Sequence, residues 1–310
     1  MPSYAIIGTG AVGGYYGACL QRAGFPVHFL LRRDYDFVKE KGLTIESVYG
    51  DFALPHVSAY KNSQQMPQCD VIVVALKSTQ NHVLAELLSP LIRENTIILL
   101  LQNGLDFERE VAKLFPQALI MAGLCFICAN KTDPGRIRHI DYQAVSLAEY
   151  ALGYQSCGIT ERMEAIARNF TQAKIEIALK EDLLKSRWEK LVWNIPYNSL
   201  SVILDATTQE LMGDRNSRQL VEEIMQEVVM GAKSCDREIP QSFIQKMLSH
   251  TEKMKPYLTS MKLDYNFKHP LEIEGILGNA LKMAREKNID LPKISSLYQQ
   301  LKFLDAKNRG

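Results

Sequence analysis

A chain of 310 residues is long enough to bury two hydrophobic cores, and 46% hydrophobic with 23% charged residues is the balance of an ordinary soluble globular protein. The net charge of +1 offers no global footprint for nucleic acid or an anionic membrane, so any charge that matters is local. The longest apolar runs, 71–76 and 97–101, are too short to span a bilayer and fit buried parallel strands.

The chain opens on Tyr4-Ala5-Ile6-Ile7, an apolar strand, without the basic stretch and long apolar run of a secretory signal. A cytoplasmic location is the expectation. The strand runs into Gly8-Thr9-Gly10-Ala11-Val12-Gly13 and then a helix rich in small residues. Strand, Gly-x-Gly-x-x-Gly and helix together open a dinucleotide-binding βαβ unit. Gly8 makes the tight turn, Gly10 lets the backbone approach a pyrophosphate, and Gly13 lets the helix pack closely on the sheet. The helix N-terminus offers unpaired N–H groups and partial positive charge to the phosphates. Ala23-Gly24 ends the helix, and Val27 to Leu31 reads as the second parallel strand.

Arg32 lies nineteen residues after Gly13, where an NAD-preferring site would place a carboxylate for the ribose 2′-hydroxyl. Arginine there suits a 2′-phosphate and points to NADP, with Arg33 able to share the role. Asp34 keeps the alternative open, because a small change in the loop would bring a carboxylate to the ribose. Residues 43–60 read as an alternating hairpin around Tyr49-Gly50, inserted across the sheet. The strand 69–76 ends in Lys77, and the strand 96–101 ends in Gln102-Asn103-Gly104. Polar residues at two carboxyl ends of parallel strands point to a shared crevice.

A helix is expected near 106–114. Strands are expected at 118–123 and 124–129, then at 136–140 after the Asp133-Pro134-Gly135 turn, and at 144–147. The six cysteines are scattered, so a disulfide framework is not expected. Cys125 and Cys128 form a C-x-x-C, but without a second pair or a nearby histidine they read as strand residues, and no metal is expected. The fold class is α/β. Residues 1–180 form a Rossmann-type, mostly parallel sheet domain for the dinucleotide, and residues 181–310 an all-helical domain for substrate and catalysis.

In the first long helix of that second part, Lys190, Asn194 and Asn198 are spaced i, i+4, i+8 and share one face. The apolar neighbours Leu191, Val192, Trp193 and Ile195 enclose that face. Enclosed amides and an ammonium need partners, each costing roughly 1–3 kcal/mol without them. A polar ligand or a water-bridged interdomain network would supply those partners. Pro196 is expected to kink the helix. Further helices follow near 218–233, with Met225, Val228 and Met230 as core, and near 240–255. Residues 259–264 read as a polar loop, a helix opens from Pro270, and Pro292 starts the last helix before a charged tail at 307–310. Amphipathicity leaves the oligomeric state open, a homodimer included.

Taken together, these residues resemble the ketopantoate reductase family along essentially the whole chain. The shared marks are the glycine turn, Arg32, Lys77, Gln-Asn-Gly at Asn103, Trp-x-Lys-Leu-x-x-Asn-x-x-x-Asn at 188–198, Ser-Met-x-x-Asp at Ser260, and Glu-Ile-Glu-x-Ile-x-Gly at Glu272. The resemblance implies NADPH-dependent reduction of 2-dehydropantoate to (R)-pantoate, a step toward pantothenate and coenzyme A. It implies Lys190 as general acid and Glu272 as the essential acidic residue. Asn194, Asn198 and Ser260 match residues that hold the substrate. Lys77 and Asn103 match cleft residues near the nicotinamide, and Asn103 and Glu272 are expected to meet both substrate and cofactor. The chemistry is consistent with these roles, because hydride addition to a ketone builds negative charge on oxygen, and a lysine tuned toward a pKa of ~7–8 can neutralise it.

Two positions depart from the family pattern. Leu263 stands where Gln is frequent, and Pro196 precedes Asn198 where the family tends to carry Pro after it. Both flank substrate-binding positions, so reduction of another small 2-keto acid, or an opine-type reaction, is the alternative within the class. A non-catalytic NADP-binding sensor is the alternative outside it.

Overall fold

The computed structural model describes residues 1–254 and 258–309; Lys255 and Gly310, the expected ends of one helix and of the tail, lie outside them. The chain forms two compact units, one of Met1–Gln102 with Glu108–Leu183 and the other of Asn103–Phe107 with the residues from Leu184 onward.

The first unit is built on a ten-stranded sheet. In chain order it contains β1 (Tyr4–Ile7), α1 (Ala11–Arg22), β2 (Val27–Leu30), α2 (Tyr35–Lys41), β3 (Leu43–Ser47), β4 (Phe52–Leu54) and β5 (Ser58–Tyr60). There follow β6 (Val71–Val74), α3 (Leu84–Leu88), β7 (Ile97–Leu100), α4 (Phe107–Leu114), β8 (Leu119–Asp133), β9 (Arg136–Glu149), α5 (Glu161–Gln172) and β10 (Ile177–Leu179). The order is β4-β3-β9-β8-β7-β6-β1-β2-β5, with β10 also pairing β9. From β8 to β5 every neighbouring pair is parallel. Every residue of β1 and β6 is buried, which is why their sequences are continuous apolar runs rather than alternating ones. In register, Ile7 faces Leu30 on one side and Val74 on the other, so the carboxyl ends of β1, β2 and β6 lie in line, and the glycine turn leaves from that edge.

Two expectations are corrected here. Residues 43–60 do not form a single hairpin across the sheet: β3 and β4 pair antiparallel at one edge, while β5 pairs parallel with β2 at the other. The two strands expected between 118 and 129 are one strand of 15 residues, β8, which returns through Pro134-Gly135 as β9. Gly123 does not interrupt β8, because its missing side chain makes room for Leu101, whose Cδ2 would lie 2.4 Å from an added Cβ. Cys125 and Cys128 both sit on β8, as the sequence reading expects of strand residues.

The second unit contains α6 (Leu183–Ile203), α7 (Thr208–Gly213), α8 (Arg215–Ser234), α9 (Gln241–Lys253), α10 (Ser260–Asn266), α11 (Asn279–Arg285) and α12 (Pro292–Arg309). Their ends are chemically marked. Thr207 and Glu210 form a reciprocal capping box on α7, and Asp214 accepts from the N–H groups of Asn216 and Ser217 at the start of α8. The buried Glu227 carboxylate accepts from the Lys293 and Ile294 N–H groups, both at 3.0 Å, at the start of α12. Trp188 of α6 is fully buried, and its ring would lie 2.7 Å from a Cβ added at Gly231, so glycine there admits the indole against α8.

Three helical expectations change. The segment 259–264 is not a loop but the first part of α10, with the Thr259 hydroxyl accepting from the Lys262 N–H at 3.2 Å. Seven residues are too few for periodicity to reveal, and the cap supplies what the pattern lacks. Met230 is 50% exposed, unlike Met225 and Val228, which are fully buried core. The final helix continues through the charged segment to Arg309. Among the described residues, no helix is long and apolar enough to cross a membrane.

Candidate active site

The first unit carries the glycine turn. Gly8 has φ +104, and a Cβ there would lie 2.6 Å from the Leu76 nitrogen. Gly13 packs its Cα against the turn itself, where a Cβ would meet the Gly8 oxygen at 2.3 Å. Gly10 is different: nothing lies within 4 Å of an added Cβ. The protein therefore needs glycine at 8 and 13 for its own packing, whereas at Gly10 only something that approaches from outside would require it.

Gly10 caps α1 without a side-chain hydrogen bond, and the first turn has no acidic residue, so the N–H groups of Ala11, Val12 and Gly13 begin the helix without an intrahelical acceptor. Thr9 is buried, with its hydroxyl donating to the Leu30 carbonyl at 2.9 Å. The turn is thus tied to the end of β2. This is a cradle that a dinucleotide pyrophosphate fits by shape and by charge.

At the end of β2, Arg32 and Arg33 are exposed, and Asp34 is the N-cap of α2. Asp34 pairs with Lys131 of β8 and accepts from the Gly135 N–H at 3.4 Å. Lys77 follows β6 as an exposed residue. The ends of β6 and β7 are joined by the buried Gln102, whose amide donates to the Leu76 carbonyl at 2.9 Å and to Asn81 Oδ1 at 2.6 Å.

The second unit carries a polar stripe on α6. Lys190 is half-buried, and burial then deepens along the face, from 7% exposure at Asn194 to 3% at Asn198 and none at Ser201. The helix continues through Pro196. Asn198 Oδ1 accepts from the Met261 N–H at 3.4 Å. Ser201 donates to the Asn198 carbonyl at 3.1 Å and shares a 2.8 Å hydrogen bond with the Thr259 hydroxyl. These bonds bring Asn198 and Ser260 together, since Ser260 lies between Thr259 and Met261. Next to Asn198, burial pushes the Tyr197 phenol up to about 12, so Tyr197 keeps its proton through the neutral range. Its hydroxyl contacts Met212 Sδ at 3.0 Å.

Glu272 is buried, with 6% exposure, one residue before the helix that leads into α11. That helix begins with a π turn at Glu274–Gly278, a wound-out geometry frequent at functional sites. The Gly275 carbonyl accepts from the Leu105 N–H at 2.9 Å, and Asn279 donates to the Leu105 carbonyl at 2.6 Å. Gly104 has φ +114, and a Cβ there would lie 2.5 Å from the Gly275 oxygen. Within the second unit, Gly104 and Leu105 are therefore docked on the helix that starts just after Glu272, with Asn103 directly before them in the chain.

Three contributors are missed by the sequence pattern. Ser201 is one helical step beyond the expected stripe, Thr259 is read as loop until it is seen capping α10, and Lys131 reaches Asp34 only because β8 and β9 form a long hairpin. Thr259 has a weak local signal, a hydroxyl residue directly before a helix start. Among the described residues, no group of three His, Cys, Asp or Glu is placed to hold a metal ion.

Comparison with known proteins adds to this geometry. Residues 4–151 match the family described as "Ketopantoate reductase PanE/ApbA", and residues 182–305 its C-terminal domain. A 2-dehydropantoate 2-reductase from Nostoc sp. is 58% identical over 306 residues, 99% of this chain and 96% of that protein. The crystal structure of 2-dehydropantoate 2-reductase from Geobacter metallireducens aligns with TM-score 0.90 and 38% identity, covering 97% of this chain and 99% of its own. That from Methylococcus capsulatus aligns with TM-score 0.91 and 32% identity, covering 99% and 98%.

Proposed function

The chain belongs to the ketopantoate reductase family, and on that premise we propose that it is a 2-dehydropantoate 2-reductase that uses NADPH to reduce ketopantoate to (R)-pantoate. The structural observation that carries the reading is the α6 stripe: an ammonium and two increasingly buried amides on one face, with Asn198 fastened to the start of α10. Buried amides of that kind are satisfied by a small polar ligand.

Gly8, Thr9, Gly10, Ala11, Val12 and Gly13 would hold the pyrophosphate, and Arg32 the adenosine 2′-phosphate. Lys77, Asn103 and Glu272 would meet the nicotinamide end. When bound, the reduced nicotinamide supplies the hydride. Lys190 donates a proton to the ketone oxygen as negative charge grows there, which lowers the barrier to addition. Asn194, Asn198 and Ser260 bind the carboxylate and hydroxyl of the hydroxy-keto acid and fix which face of the carbonyl is presented. Glu272 accepts from the substrate hydroxyl and orients the lysine.

The test is loss of NADPH absorbance on addition of ketopantoate to purified protein, with a panel of other 2-keto acids and with NADH in parallel. The proposal expects ketopantoate with NADPH to give the highest kcat/KM. Higher kcat/KM with another keto acid would move the assignment to that substrate, and the Leu263 and Pro196 departures mark where the difference would lie. Binding of NADPH without turnover of any keto acid would favour a sensor.

A further inference from the structure

We propose that Lys131, at the tip of the β8–β9 hairpin, decides between NADPH and NADH by neutralising Asp34; this rests on the reading that the first unit holds a nicotinamide dinucleotide. Asp34 follows Arg32 and Arg33 at the end of β2, the place from which a carboxylate selects a free ribose 2′-hydroxyl and repels a 2′-phosphate. Here that carboxylate is occupied. Lys131 Nζ pairs with Asp34 Oδ2, and the Gly135 N–H donates to the same oxygen at 3.4 Å. Only 14% of the Asp34 side chain and 28% of the Lys131 side chain is exposed, so this pair is better shielded from solvent than an ordinary surface ion pair.

The same ammonium donates to the Thr9 carbonyl at 3.2 Å, within the glycine turn, and Thr9 in turn donates to the Leu30 carbonyl at 2.9 Å. One lysine therefore joins the ends of β1 and β2 to the hairpin, at the edge where the adenosine ribose would lie. An ammonium has three donors, and Asp34 and Thr9 take two, which leaves one for a ligand oxygen. The charges also add up suitably. Arg32, Arg33 and Lys131 against Asp34 leave two positive charges, and a phosphomonoester carries about 1.5 to 2 negative charges near neutral pH. Without Lys131 the cluster would hold one positive charge and an exposed carboxylate, a combination suited to NADH.

The experiment measures the Kd of NADPH and of NADH by nicotinamide fluorescence, without substrate, for the wild type, Lys131→Met, Lys131→Arg, Asp34→Asn and the double variant Lys131→Met with Asp34→Asn. Lys131→Met should weaken NADPH by about tenfold or more while leaving NADH unchanged or tighter, tenfold being what one charge-assisted hydrogen bond is worth. Lys131→Arg should keep the wild-type ratio, and the double variant should recover part of the lost NADPH affinity, because the carboxylate that Lys131→Met uncovers is gone. Asp34→Asn alone should keep the preference for NADPH, and it carries the test if Lys131→Met does not fold. Equal weakening of both cofactors in Lys131→Met, or a wild type that binds NADH more tightly, would overturn the proposal. Since Kd is read without keto acid, a protein that shows the expected ratios but no turnover of ketopantoate would refute the substrate assignment and uphold the role of Lys131.

Discussion

The side-chain oxygen of Asn198 accepts a hydrogen bond from the Met261 backbone N–H at 3.4 Å, and this fixes which end of the amide faces the remaining space. With its acceptor engaged, Asn198 meets a ligand as a donor. Asn198→Asp keeps the oxygen that Met261 uses, removes the donors and adds a charge that repels a keto acid's carboxylate. The expected result is a rise in the KM for ketopantoate of roughly tenfold to a hundredfold, the range for a hydrogen bond to a charged group. Initial-rate kinetics beside a thermal melt would check it. An unchanged KM in a folded variant would mean that the amide does not touch substrate.

Lys190 offers a sharper split between binding and chemistry. If it supplies the proton, Lys190→Met should lower kcat by roughly 10²- to 10⁴-fold, the usual worth of a positioned general acid, with the Kd for NADPH unchanged. Lys190→Arg should fail to restore the rate, because a guanidinium keeps its charge and surrenders no proton near neutral pH. Stopped-flow or steady-state rates beside a cofactor titration separate the two effects. A kcat close to wild type in Lys190→Met would remove this lysine from the chemistry.

The glycine turn and the α6 stripe are legible in the sequence because each is written in local spacing: a strand followed by glycines at fixed offsets, and polar residues one helical turn apart. The Lys131–Asp34 pair is not, because it depends on which strand of the sheet folds over which loop, and the residues are far apart in the chain. The unbroken course of β8 depends on Leu101 filling the space beside Gly123, a contact that no window along the chain contains. The 259–264 segment misleads for a related reason: its helix is short and polar, and what stabilises it is the Thr259 cap and the bond that its Met261 N–H donates to Asn198.

Asp70 links acid sensitivity to the start of the parallel pair β1 and β6. The Ser3 N–H donates to its carboxylate at 2.7 Å and the Ser3 hydroxyl at 2.9 Å, while Arg93 pairs with its other oxygen. The Ser3 backbone N–H is the leading reason that its pKa lies below the ordinary carboxylate value. A group whose pKa is depressed on folding stabilises the fold above its unfolded pKa, about 3.9 for aspartate, and that stabilisation fades as pH falls through the lower folded value. Asp70→Asn should therefore melt at a lower temperature than wild type at pH 7, with the gap closing as the pH drops below 4. Melting curves from pH 7 to pH 3 test this, and a gap that stays constant over the range would show that the carboxylate's charge is not involved.

Gly8 and Gly10 belong to one turn, yet they should fail in opposite ways. At Gly8, φ is +104 and a Cβ would lie 2.6 Å from the Leu76 nitrogen, so Gly8→Ala combines left-handed strain with a backbone clash and should cost roughly 1–3 kcal/mol or more. For a unit the size of the one that holds Gly8, that corresponds to a fall in Tm of about 2–4 °C per kcal/mol. At Gly10 the backbone is extended, with φ −86 and ψ −154, and nothing lies within 4 Å of an added Cβ. Gly10→Ala should therefore melt like the wild type, while its affinity for NADPH falls by about tenfold or more as the methyl group occupies the pyrophosphate's approach. Scanning calorimetry with a cofactor titration on both variants separates fold from ligand. Wild-type NADPH affinity in Gly10→Ala would mean that the pyrophosphate does not lie against this turn.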